Sequence, residues 1–214
     1  MKDLAIFVEG GGDSKEQKAE IRRGLDALLG KVKDEARAKK LGWKLVPCGG
    51  RVATKDAFLN EIKHGSKDTL CVLLVDSEEA VAEPGGDQVA NARVRKEHLI
   101  RRDKWNELTA IPDETIHLMV QTMEAWIAAD DEALTKFYGK DFHANKLPNR
   151  QNLEQEPKLE LAKKLAAATK DTQKGEYHKI NHAGKILLMI AAAKVAGRCQ
   201  HFRILSDWLL EKIG

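Results

Sequence analysis

Cysteine is scarce in this chain, and long apolar runs are missing from it. The 214 residues carry three cysteines, Cys48, Cys71 and Cys199, with no CxxC pair among them. Their spacing excludes a zinc ribbon. Cys48 and Cys71 sit in or beside apolar runs, where a free thiol behaves as a small buried hydrophobe. The longest apolar run, Ile186 to Ala193, is far too short to cross a bilayer. Met1-Lys2-Asp3 opens the chain without the apolar stretch of a secretory signal, so a cytoplasmic protein with reduced thiols is expected. A net charge of only +3 leaves the choice of partner open. Nucleotide-binding loops are also absent. There is no GxxxxGK[ST], and Lys15 stands where GxGxxG needs its third glycine. His178 and His182 are four apart, but no HExxH is present, which argues against zinc.

What the chain does have is a pair of apolar runs that end in carboxylates. Ile6-Phe7-Val8 leads into Glu9-Gly10-Gly11-Gly12-Asp13, and Leu70 to Val75 leads into Asp76-Ser77-Glu78-Glu79. Short continuous apolar runs are the pattern of strands buried on both faces. In an open α/β sheet the carboxyl ends of the strands line the ligand crevice. Acids from two neighbouring tips would therefore converge, and converging carboxylates repel unless a proton or a metal ion intervenes. In extended geometry Asp76 and Glu78 point the same way and would share one or two hard cations, Mg2+ or Mn2+. The bland alternative for each motif is a tight turn with helix-capping or solvated acids.

The periodicities predict β-α-β-α-β order and a parallel sheet. Strands are expected at 4–8, 43–46, 69–75 and 115–121. A long helix is expected from Ser14 to about Lys39, weakened at Gly30, and a second one capped by Thr54. Pro47 and Gly49-Gly50 are expected to close the second strand. Residues 79–90 read as a mobile loop and 91–108 as a basic helix. Alternation in Ile116, Leu118 and Val120 suits an edge position. Helices at roughly 158–169, 182–194 and 199–213 follow. The reading is thus α/β: a mostly parallel, Rossmann-like sheet of about four strands flanked by helices (1–142), with a C-terminal helical extension (143–214) packed on it.

Three further groups bear on chemistry. Glu124 opens a helix directly off the fourth strand, on the same sheet edge as Glu9 and Asp76; otherwise it complements the helix dipole. Arg93, Arg95, Lys96, Arg101, Arg102 and Lys104 form a basic stretch, either a solvated helix face or a phosphate-backbone contact. Lys179, His182 and Lys185 place positive charge near a second helix start, again a surface cluster or a phosphate site.

With these residues in place, Glu9-Gly10…Asp13 followed by Asp76-Ser77-Glu78 resembles the two acidic motifs of the Toprim fold of topoisomerases, primases and OLD-type nucleases. Glu78 stands where that family usually has Asp. Over nearly the whole chain the sequence resembles the bacterial domain of unknown function 4276. The likeness extends to Val120-Gln121-Thr122-Met123-Glu124-Ala125-Trp126, to Tyr177-His178-Lys179 and to Cys199-Gln200-His201-Phe202. The resemblance implies a Toprim-like metal site and genes that often neighbour ATPases in mobile or defence loci.

Two functional expectations follow. The first is an Mg2+- or Mn2+-dependent nuclease. Glu9, Asp76 and Glu78 would hold metal, Asp13 and Glu124 would support or complete a second site, and Lys179 would steady the phosphate. The basic helix, with His182 and Lys185, would contact nucleic acid. The second is a non-catalytic subunit that binds a partner ATPase or nucleic acid. Nothing in the chain resembles a nucleotide-base pocket or a primase zinc domain.

Overall fold

The computed structural model describes residues 1–214. Four strands, β1 (Asp3–Glu9), β2 (Gly42–Gly49), β3 (Thr69–Asp76) and β4 (Ile116–Met119), form one sheet in the order β2-β1-β3-β4. Every pairing is parallel, so the fold is α/β and Rossmann-like. Helices cover both faces. They are α1 (Lys15–Leu28), α2 (Gly30–Ala38), α3 (Arg51–His64), α4 (Gln88–Asp103), α5 (Glu124–Ala128), α6 (Asp131–Tyr138), α7 (Lys158–Thr169), α8 (Lys179–Leu187), α9 (Ala192–Arg198) and α10 (Gln200–Ile213).

The pleat divides the core in two, because successive side chains point to opposite faces. Leu4, Ile6, Val8, Val72 and Leu74 join a cluster of 38 buried residues that includes α1 and runs to Ile213 in α10. Ala5, Phe7, Leu73 and Val75 join a cluster of 13 with Phe58 of α3 and Leu99 of α4. The C-terminal helices therefore share one face of the sheet with α1 and α2. Trp126 on α5 meets Phe202 on α10 edge to face at 4.9 Å, and the Cys199 thiol donates to the Ala125 carbonyl. His201 and Glu154 form a buried pair at 2.8 Å. These contacts give the Cys199-Gln200-His201-Phe202 motif an anchoring role. No helix is long and apolar enough to cross a membrane.

Several local expectations are corrected. The long first helix breaks at Leu29, just before Gly30, where the low helix propensity of glycine meets a site with nothing packed around it. Thr54 is no cap: α3 starts at Arg51, and the buried Thr54 hydroxyl donates back to the Gly50 carbonyl. Pro47 lies inside β2 and does not end it, because an edge strand tolerates a missing N–H; the strand ends at Gly49, as expected of Gly49-Gly50. The basic helix stops at Asp103, with Lys104 in the left-handed region. Residues 182–194 divide between α8 and α9. As expected from its alternation, β4 is an end strand; its polar His117 is nonetheless buried against Trp208, 4.8 Å away.

Candidate metal centre at the strand tips

Each acid of the candidate site is aimed by a specific piece of backbone. Glu9 ends β1, and Gly10, Gly11 and Gly12 follow with φ of 130°, 88° and 56°. A side chain at Gly12 would be strained by that φ and would collide with the Gln17 amide. That amide is needed where it is, since Ser14 and Gln17 form the capping box that starts α1. Asp76 ends β3, and its Oδ1 accepts the Met123 N–H at 2.8 Å. Glu78 is not extended, as the sequence reading supposed. It has φ 67°, and Gln121 opposite has φ 62°. The two strand tips are tied by Glu78 N–H to the Gln121 carbonyl at 3.0 Å and by Gln121 N–H to Ser77 Oγ at 2.7 Å. Two non-glycine residues in the left-handed region, side by side, are the kind of strain that collects at functional sites.

The result is a cluster in which Glu9, Asp76 and Glu78 each offer an oxygen within 4.8 Å of the others. Each acid also has its own cation. Arg51 Nη1 lies 3.1 Å from Glu9, Lys179 Nζ 3.1 Å from Asp76 and Lys158 Nζ 2.6 Å from Glu78. Arg51 reaches further, to the Asp76 carbonyl and to Asp103 at 2.6 Å, and lies over the Trp105 ring. Lys179 is shared with Glu124, 3.6 Å away. Glu124 in turn accepts from Thr122 and, at 3.0 Å, from the Tyr177 hydroxyl.

The electrostatics follow from burial first and charge second. Burial, reinforced by Asp76, raises the Glu9 carboxyl to about 7, against the opposing pull of Arg51. Burial also raises Asp76, with Lys179 opposing. Burial alone would raise Glu124, but Lys179 and the hydrogen bonds from Thr122 and Tyr177 bring it below the usual carboxylate range. Burial disfavours the Lys179 ammonium, yet Asp76 and Glu124 outweigh that and hold it charged.

Glu9, Asp76, Glu78, Glu124 and Lys179 thus meet at one place, drawn from β1, β3, the β3 tip, α5 and α8. Asp13 does not; it stands exposed outside the cluster. The basic stretch does not form one surface either. Arg93, Arg101 and Lys104 are exposed. Arg95 is buried and donates to the Ile116 carbonyl, Lys96 pairs with Asp113, and Arg102 pairs with Asp103 and Glu79. Arg95 is therefore withdrawn from any backbone-contacting role, because α4 turns that side chain toward β4. His182 is half-buried against the Tyr138 hydroxyl at 3.0 Å, while Lys185 is exposed. Sequence reasoning missed Arg51, Asp103 and Lys158. Arg51 was within reach, since it follows the Gly49-Gly50 end of β2 and so lies on the same sheet edge. Nothing local marks Asp103 or Lys158.

The donor set suits a hard cation, being all carboxylate oxygen. Glu9 and Glu78 use one oxygen each in hydrogen bonds to the protein and keep the other free. Asp76 uses both, one on Met123 and one on Lys179 and Thr122, so it would join a metal by giving up the lysine. Glu9, Asp76 and Glu78 could together hold a hard cation such as Mg2+ or Mn2+. No curated protein and no solved structure matches the chain. A family model described as a domain of unknown function (DUF4276) matches residues 8–210, nearly the whole sequence, and the protein therefore belongs to the DUF4276 family.

Proposed function

We propose that the protein is an Mg2+- or Mn2+-dependent phosphodiesterase acting on nucleic acid, with a Toprim-like centre. The observation that carries this reading is the cluster of three carboxylates at adjacent strand tips, with free oxygens on Glu9 and Glu78. When bound, the metal would supply Lewis-acid activation of water and of the phosphoryl oxygen. The chain's own part is to bind and orient the phosphodiester. Arg51, Lys158 and Lys179 ring the acids and would turn from them toward the phosphate oxygens, Arg51 with a planar fork and the lysines as point charges. Tyr177 and Thr122 hold Glu124 still, which keeps Lys179 on the Asp76 side of the site. Glu9, raised to about 7 in the metal-free site, would give up its proton on holding the metal. Arg101, Lys104 and Lys185, with Arg93 once it leaves its exposed pair with Glu97, are the exposed cations of these groups available for sequence-independent backbone contacts.

One observation favours a second reading, a non-catalytic subunit that binds a partner ATPase or nucleic acid. Every acid of the cluster already has a protein cation, so the site is also a closed ion-pair network. A single experiment separates the two. Calorimetric Mn2+ titration and plasmid-cleavage assays are run on the wild type and on Glu9→Gln. Binding and cleavage in the wild type, with both lost in the variant, support the nuclease. Undiminished cleavage in Glu9→Gln rejects the assignment, and no Mn2+ binding by the wild type, with or without oligonucleotide, moves the case to the subunit.

A further inference from the structure

A cavity lies away from the acidic tips. It has a volume of about 400 Å³ and opens between α4 and α10, beside Asp113 and Glu114, which precede β4. It therefore sits near the amino end of β4, whereas Glu9 and Asp76 are at carboxyl ends. The size is within the usual range for a small-molecule pocket.

The notable group in its wall is Arg95. The residue is 3% exposed, and its Nε donates to the Ile116 carbonyl at 2.7 Å. Neither terminal nitrogen has a hydrogen bond to the protein, and Nη1 is also sealed from solvent. No carboxylate pairs with it, because Asp113, the attractive charge nearby, is held by Lys96. Burial consequently depresses the guanidinium to about 10. His117 offers no compensation. It lies under Trp208 with Nε2 unpartnered, and burial keeps the ring neutral. A buried cation without a partner is costly, and buried donors in native proteins are nearly always satisfied. Nη2, which is unpartnered and not sealed, is the terminal nitrogen that can meet a ligand in the cavity, and its missing complement is an anion.

The rest of the wall narrows its chemistry. Besides Asp113, which is held by Lys96, Glu114, Asp207 and Glu211 line the cavity, and Lys212 is the one cation there other than Arg95, so a dianion such as phosphate would be repelled at the mouth. Ile204 and Trp208 supply an apolar surface. We infer that this cavity binds a small zwitterion of the α-amino-acid type, its carboxylate on the Arg95 guanidinium, its ammonium among Glu114, Asp207 and Glu211, and its apolar side chain against Ile204 and Trp208. The site is independent of the metal centre.

The test is calorimetry and thermal denaturation of the full chain with each of the proteinogenic amino acids, and with inorganic phosphate as a separate probe. The expected result is saturable binding and a raised Tm for at least one amino acid with an apolar side chain. Its deaminated acid and its decarboxylated amine should each bind about tenfold more weakly or worse, since a charged hydrogen bond is lost in each. Val89, on the lining, is 76% exposed, so Val89→Trp should fill the mouth without disturbing the core and weaken binding by about tenfold or more. Asp207→Asn, at an exposed position, should weaken it by roughly two- to fivefold. Failure of every amino acid to bind, tighter binding of phosphate, equal affinity for the deaminated acid, or unchanged affinity in Val89→Trp each overturns the assignment.

Discussion

Replacing Lys179 with methionine tests the logic of the acidic cluster without any assumption about activity. Lys179 is the one cation within ion-pair distance of both Asp76 and Glu124, at 3.1 and 3.6 Å. Asp76 is 1% exposed and Glu124 10%, while the lysine side chain is 41% exposed. Breaking a fully buried pair costs about 3–5 kcal/mol. The partial exposure of the ammonium lets water screen part of that, so about 2 kcal/mol is expected at pH 8. The sign of the pH dependence is fixed by the acids. Burial already raises Asp76, and without the ammonium both carboxyls are held protonated to higher pH. Protonated acids do not need the lysine, so the loss should shrink as pH falls, with a smaller part kept at pH 5, where Glu124 is still charged beside the lysine. Urea denaturation of wild type and Lys179→Met at pH 5 and pH 8 measures it. Equal losses at the two pH values, or no loss at pH 8, would refute the argument that the ammonium is there to balance buried carboxylate charge.

The other predictions concern the same framework. Because the Glu9 carboxyl sits at about 7, metal binding must displace its proton, and Mn2+ affinity should rise by about tenfold per pH unit up to pH 7 and then flatten; a calorimetric series that is flat from pH 5.5 to 7 contradicts this. The same raised carboxyl makes the metal-free protein lose on the order of 3 kcal/mol from this group as pH climbs from about 4 to above 7, since the charged form is the one burial penalises. Denaturation at graded pH, with and without Glu9→Gln, should show that slope only in the wild type. Gly184 on α8 lies against Glu20 on α1, where a Cβ would meet backbone carbon at 2.8 Å. Gly184→Val should therefore destabilise by about 2 kcal/mol or more and displace Lys179, which shares α8; a wild-type Tm would show that the helices can separate freely. Glu154→Ala should cost about 3 kcal/mol or more, because it strands the buried His201 ring and its backbone N–H. A midpoint within experimental error of wild type would remove the anchoring role given to that pair.

The sequence by itself determined β1 and β3 and where they end, whereas β2 runs to Gly49 and β4 stops at Met119, short of the expected Gln121. Continuous apolar runs at Leu4–Val8 and Leu70–Val75 can only be buried on both faces, and the abrupt switch to Glu9 and to Asp76 marks the tips. Strand tips of a parallel sheet share one edge, so the meeting of Glu9, Asp76 and Glu78 was legible from pattern and topology alone. Glu124 was legible for the same reason. The tertiary structure decided what surrounds those acids. Arg51 comes from the start of α3, Asp103 from the last residue of α4, Lys158 from the start of α7 and Lys179 from the start of α8, and no local spacing links them. Their convergence depends on how helices dock on the sheet, including the close approach of Gly24 and Gly184 that seats α8 on α1. The fate of the basic stretch was decided in the same way. A run of like charges has one sequence signature, but only docking against β4 turns Arg95 inward and leaves Arg93, Arg101 and Lys104 outside. Local patterns report burial and chain direction, because those are set by period; the pairing of charges across 42 to 103 residues is set by packing, which a period does not encode.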